Sequence, residues 1–194
     1  MMFAPISRSY TESFAGERYE PGSRVELPVL RLNRNEFPAG VRDNLKFLYA
    51  NYPYFSGDAF DFDYHLMWER YKDLGGMQLA DVIRKDVQAL HDIGLNGLVS
   101  CQVQKIFAPH GFALYVMGHM LEDPSQSFES LKDTYFTAAF GSHVQSAYAA
   151  LAVFEETGCA EYLRHACKEV DPACAERFRQ GTEKLLSHAD ALRA

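Results

Sequence analysis

Apolar and polar positions recur along this chain with two different periods, and the switches between them predict its elements. Met2-Phe3-Ala4-Pro5-Ile6 is a short apolar run that reads as a buried strand. A polar stretch containing Gly and Pro follows, from Ser7 to about Pro38, and connections of this length in compact domains are often functional. Val41, Leu45, Leu48 and Tyr52 then recur at helical spacing until Pro53, which predicts a helix over 39–52. Between Tyr54 and His65 the period drops to two, with Phe60, Phe62 and Tyr64 alternating against Asp61, Asp63 and His65, as in a strand. Gly75-Gly76 interrupt the chain before Leu79, Val82, Ile83, Val87 and Leu90 mark a second amphipathic helix, ended by Gly94 at a left-handed cap position. Asn96 to Val103 is again an apolar strand.

Strands separated by helices of this length are the signature of parallel βαβ units, so the expected fold class is α/β. Three strands do not close a barrel. From His110 onward the pattern is helical throughout, with helices expected over 110–122, 127–140, 142–157 and 160–169. A last helix starts with Asp171 as N-cap and Pro172 at the first helical position and runs to about Leu192. The change from alternating β/α to pure α near residue 108 is the one internal boundary, dividing 1–108 from a helical segment, 109–194, expected to pack on it.

Composition narrows the partners. Of 194 residues, 47% are hydrophobic, 23% charged and 13% aromatic, which fits a globular chain with an aromatic-rich core. A net charge of −7 with scattered Lys and Arg offers no basic patch for phosphates, which argues against nucleic acid. No apolar run reaches a membrane span, and Met1 to Ile6 lacks the basic and apolar regions of a signal peptide, so the expectation is a soluble chain without an address. Cys101, Cys159, Cys167 and Cys174 form no zinc-type pair and read as reduced, packed thiols, with a Cys159–Cys167 or Cys167–Cys174 bridge as the alternative in an oxidising compartment.

Candidate chemistry centres on Asp61, Asp63 and His65, which share one face of the second strand. If the sheet belongs to a parallel barrel, unpaired carboxylates are too costly to bury against an apolar helix layer, so the expected aim is inward and up, toward the C-terminal mouth. Three readings stay open for the cluster. Carboxylates with the flat rings of Tyr64 and Trp68 suit a sugar; Asp61, Asp63 and His65 are a chemically reasonable metal set; or the group is a structural network. Gln102 and Gln104 at the end of the last strand either contact a polar ligand or cap loop backbone, and Arg8 and Tyr10 at the equivalent rim position beyond the first either contact an anion or hydroxyl or form an interdomain salt bridge. The remaining histidines, His91, His110, His119, His143, His165 and His188, lack metal-ligand spacing, and no G-x-S-x-G, Walker or G-x-G-x-x-G motif occurs.

The strings Phe3-Ala4-Pro5-Ile6-Ser7-Arg8-Ser9-Tyr10, Asp63-Tyr64-His65-Leu66-Met67-Trp68 and Ile93-Gly94-Leu95-Asn96-Gly97-Leu98-Val99-Ser100-Cys101-Gln102 together resemble the family known as domain of unknown function 4838. The resemblance spans roughly residues 1–140 and implies a barrel glycoside hydrolase similar to glycoside hydrolase family 163, endo-β-N-acetylglucosaminidases acting on N-glycans. It implies that the three strands are the last three of a (β/α) TIM-type barrel. It also implies that the catalytic acidic pair, one carboxyl polarising the N-acetyl group and one acting as general acid, stands on an earlier strand that nothing in this sequence matches. Asp61 and Asp63 then line a subsite rather than carry catalysis, in a wall completed by His65, with Tyr64 or Gln102 contacting hydroxyl or acetamido groups, and no cofactor is implied.

The expected function is therefore a glycoside hydrolase segment that binds a glycan but has no cleaving activity alone. Its partner would be the missing barrel half or a second copy of the chain. A non-catalytic carbohydrate-binding remnant and a metal-dependent hydrolase built on Asp61, Asp63 and His65 are the alternatives.

Overall fold

A computed structural model of the chain describes residues 1–27, 38, 40–67, 73–103, 107, 109–157 and 172–193, without the side chains of 174 and 191–193. The expected helix over 160–169, the Asp171 cap, Trp68, Gln104, Cys159 and Cys167 lie outside these residues, as does the Cys174 thiol.

The alternating half contains β1 (Met2–Phe3), α1 (Val41–Asn51), β2 (Phe60–Asp63), α2 (Met77–Ala89) and β3 (Leu98–Ser100). The strands form one parallel sheet in the order β1-β2-β3. Met2 pairs with Phe60 and Phe3 with Asp61; Asp61, Phe62 and Asp63 pair with Leu98, Val99 and Ser100. All strands are shorter than the sequence pattern suggests. Pro5 has no N–H to extend the ladder and begins a turn that Arg8 closes by donating its backbone N–H to the Pro5 carbonyl. Before β2, Pro53 does not end the chain's coiling but sits inside a single 3-10 turn, Tyr52–Tyr54.

α2 ends at Ala89, five residues before the glycine expected to stop it. Two further turns lead to Gly94, whose φ of 84° is left-handed and whose missing Cβ would lie 2.8 Å from the Tyr52 hydroxyl. That hydroxyl donates to the Ile93 carbonyl at 2.8 Å, so the close approach pins the end of α1 to the turn before β3.

The second half is helical: α3 (Phe112–Glu122), α4 (Phe128–Phe140), α5 (Val144–Thr157) and α6 (Pro172–Arg193). Ser127 caps α4 by accepting the Ser130 N–H. One apolar core joins the halves, with Leu79, Ile83 and Val87 of α2 packed with Phe112, Val116 and Met120 of α3. A second core lies under β1 and α1, around Phe3, Phe14, Leu45 and Ile93. Among the described residues no helix is long and apolar enough to cross a membrane.

The two faces of the sheet differ. Phe3, Asp61, Asp63 and the residues behind them are buried beneath α1, α2 and the Ser7–Glu17 segment, while Met2 and Val99 on the opposite face are 58% and 48% exposed. Phe60 and Phe62 on that same face are half-buried.

Candidate functional site

Asp61, Asp63 and His65 do share a face of β2 and its extension, but this face turns toward the helix layer. The expected inward aim is overturned. The cost of burying the charges is met by partners from distant parts of the chain: Asp86 on α2 and Arg8 in the turn after β1. Asp86 is the hub. Its Oδ2 accepts from Arg8 Nη2 at 2.6 Å and from His65 Nε2 at 2.7 Å, and its Oδ1 accepts the Phe14 N–H at 2.6 Å. The other imidazole nitrogen, Nδ1, contacts Asp63 Oδ2, while Asp63 Oδ1 accepts the His65 backbone N–H at 2.9 Å. Every charged side chain in the group is buried.

Aromatic rings seal the cluster. The Arg8 guanidinium carbon lies 4.0 Å from the centre of the Phe14 ring and 4.5 Å from that of Tyr10. Tyr10 meets the His65 ring edge-on with centroids 4.7 Å apart, and its hydroxyl accepts the Tyr64 N–H at 3.2 Å. Arg8 Nη2 also donates to the Glu12 carbonyl at 2.8 Å, so the Ser7–Glu17 segment is tied down at several points.

The electrostatics follow from burial and these pairings. Burial opposes a charge on His65, yet the Asp63 and Asp86 carboxylates overcome it and raise the imidazole to about 9. Burial likewise pushes Asp86 up, but Arg8 and His65 hold it below the ordinary carboxylate range. Asp61 has no such support. Burial, and then the neighbouring Asp63 charge, push it up to about 8, and neither of its oxygens has a hydrogen-bond partner among the described residues. With Asp61 protonated, two cations face two carboxylates and the buried group is neutral overall.

Arg8, Tyr10, Asp61, Asp63 and His65 are thus brought together, but as a sealed staple. A ligand would have to displace Tyr10 or Arg8 to touch Asp61, Asp63 or His65. Both ring nitrogens of His65 are engaged with carboxylates, leaving no lone pair for a metal, and among the described residues no group of three or more His, Cys, Asp and Glu is arranged to hold one. The structural-network reading is the one this arrangement fits.

Gln102 stands apart from the staple, and Tyr64 joins it only through its backbone N–H to the Tyr10 hydroxyl. Phe62 on the open face meets Tyr64 edge-on with centroids 5.4 Å apart, and both are half-buried at the C-terminal end of β2. Gln102, two residues past the end of β3, is exposed, and the backbone on either side of it is tied to the β2 extension by Cys101 N–H to Asp63 O and Val103 N–H to Leu66 O. Trp68 and Gln104 lie outside the described residues.

Asp86 and Phe14 were not among the expected site residues. Asp86 had a legible signal, since it lies seven residues after Leu79 and three after Ile83, on the buried stripe of α2. A carboxylate there must have a buried partner. Phe14 carried no such mark in a polar stretch.

No protein-family model, no curated protein and no solved structure matches this chain.

Proposed function

We propose that the chain is the C-terminal part of a (β/α) barrel of the glycoside-hydrolase type and that it supplies one wall of a glycan-binding mouth, endo-β-N-acetylglucosaminidase-like, with the main acid pair contributed from outside these residues. The observation that carries this reading is the asymmetry of the sheet. Its strands are parallel and, among the described residues, its helices lie on one face, while on the other Met2 and Val99 are exposed and Phe60 and Phe62 half-buried. All-parallel sheets are normally covered on both faces, either by a second helix layer or by closing into a barrel. Short strands with apolar residues on the open side suit closure, in which that side becomes the packed barrel interior.

On this reading Phe62, Tyr64 and Gln102 stand at the C-terminal rim, where barrel enzymes keep their sites. The two rings would stack on a pyranose and the amide would meet hydroxyl or acetamido groups. Asp61, Asp63, His65, Arg8 and Tyr10 hold that rim in place from behind rather than touching the sugar. The chain alone should bind without cleaving. The test is an assay of the purified chain on aryl N-acetylglucosaminides and N-glycans. No turnover is expected, and turnover abolished by Asp63→Asn contradicts the assignment of catalysis elsewhere.

A further inference from the structure

Away from the sheet, a cavity of about 320 Å³ opens between the start of α2 and the facing sides of α4 and α5. Met77, Phe128, Tyr148 and Leu151 make its apolar lining, and exposed Ala152 stands at its mouth. Two charged side chains of opposite sign complete the wall, Lys132 on α4 and Glu155 on α5. Its volume is at the small end of the range for ligand pockets, the scale of a single metabolite and not of a peptide.

The two charges are not paired with each other. Lys132 reaches Glu129 at 3.4 Å and lies 5.1 Å from the centre of the Tyr148 ring, with 27% of its side chain exposed. Among the described residues Glu155 is in no salt bridge. Glu155 is exposed at the edge of the cavity, where partial desolvation and the charge of Asp73 push its pKa up, with Lys132 opposing from nearby. The other charged groups around the cavity are committed: Asp73 accepts the Leu79 N–H at 2.7 Å, Asp133 accepts the Tyr148 hydroxyl at 3.1 Å, and Arg84, 5.8 Å from the Phe128 ring centre, is bonded to Asp81. The Glu155 side chain runs close over Gly75. A Cβ on Gly75 would lie 2.9 Å from Glu155 Cγ, and the Gly75 carbonyl is itself fixed by His110 Nε2 at 2.8 Å.

We infer that this cavity binds a small apolar zwitterion, an α-amino acid with an aliphatic or aromatic side chain, whose ammonium pairs with Glu155 and whose carboxylate pairs with Lys132. An apolar cation or an apolar anion would meet only one of the two wall charges, whereas a zwitterion meets both. The side chain would occupy the space between Met77, Phe128 and Leu151, where apolar area is removed from water. The inference is independent of the glycan reading, since the cavity is built from helices α2, α4 and α5 alone.

The test is an NMR titration of the full chain with L-leucine, following the methyl groups of Met77 and Leu151, with leucinamide and N-acetyl-leucine as probes that each lack one charge. Saturable shifts with leucine, weakened about tenfold or more in Glu155→Gln and in Lys132→Met, are expected from the loss of one charge-assisted contact. Ala152→Trp, which fills the mouth from an exposed position, should abolish the shifts while the spectrum elsewhere stays unchanged. Absence of saturable shifts with leucine, or binding of leucinamide or N-acetyl-leucine as tight as that of leucine, overturns the inference.

Discussion

Arg8 and Asp86, 78 residues apart in sequence, form a fully buried ion pair at 2.6 Å. The pair fastens the turn after β1 to α2, across the face of β2 that carries Asp61 and Asp63. Because His65 shares the same Asp86 oxygen, removing this one carboxylate leaves Arg8 without its ion pair and His65 with Asp63 alone.

Asp86→Ala should therefore destabilise the chain by about 3–5 kcal/mol, the range for breaking a buried pair by deleting one partner. Replacing both members with apolar residues, Arg8→Met with Asp86→Leu, should cost clearly less than Asp86→Ala alone, because no unpaired guanidinium remains. Urea unfolding of the three proteins decides the matter. Equal losses in the single and double variants would show that packing, and not charge burial, dominates at this position.

The same cluster sets the pH dependence of stability. Asp61 rises from 3.8 to about 8 on folding, so its contribution is full below the unfolded value and is lost as pH climbs through about 8. His65 rises from 6.5 to about 9 and acts in the same direction, its contribution lost between those values. Asp86 is lowered and works the other way, its contribution being lost as pH falls below the ordinary carboxylate range. Stability should peak in mildly acidic solution, and the urea midpoint should be higher near about pH 5.5 than near about pH 9. Asp61→Asn, which cannot ionise, should flatten the fall between about pH 4 and 8; an unchanged slope would mean that Asp61 does not titrate as its burial requires.

The uncovered sheet face has a consequence for association. Exposed Met2 and Val99 and half-buried Phe62 form an apolar surface beside ladder edges of β1 and β3 that no described residue pairs, and such surfaces drive self-pairing. Sedimentation of the isolated chain should show concentration-dependent association that Phe62→Ser with Val99→Thr reduces. A monomer at every concentration, with a sheet fully protected in hydrogen exchange, would count against an exposed face.

The helices were the most legible part of the chain, because long segments of period 3.6 with caps and breakers determine an element locally. Val41, Leu45 and Leu48, or Leu79 and Ile83, are buried where their spacing placed them. The sidedness of β2 was not legible. Alternation separates Asp61, Asp63 and His65 from Phe60, Phe62 and Tyr64 but does not say which set meets the helices. The rule that apolar residues face the helix layer failed here because Arg8 and Asp86 supply charge partners within that layer, and neither is near β2 in sequence. Tyr64 falls on the other side by the same alternation, whereas Gln102, in phase with Leu98 and Ser100, the partners of Asp61 and Asp63, is exposed because β3 ends at Ser100.

The rim formed by Phe62, Tyr64 and Gln102 is the proposed sugar-binding surface. A 15N–1H NMR titration of the chain with N-acetylglucosamine oligomers measures this directly. The prediction is saturable shifts concentrated at Phe62, Tyr64 and the Cys101–Val103 backbone, lost in Phe62→Ala with Tyr64→Ala and accompanied by no hydrolysis. Absence of shifts there, or shifts confined to the helical segment, would contradict it.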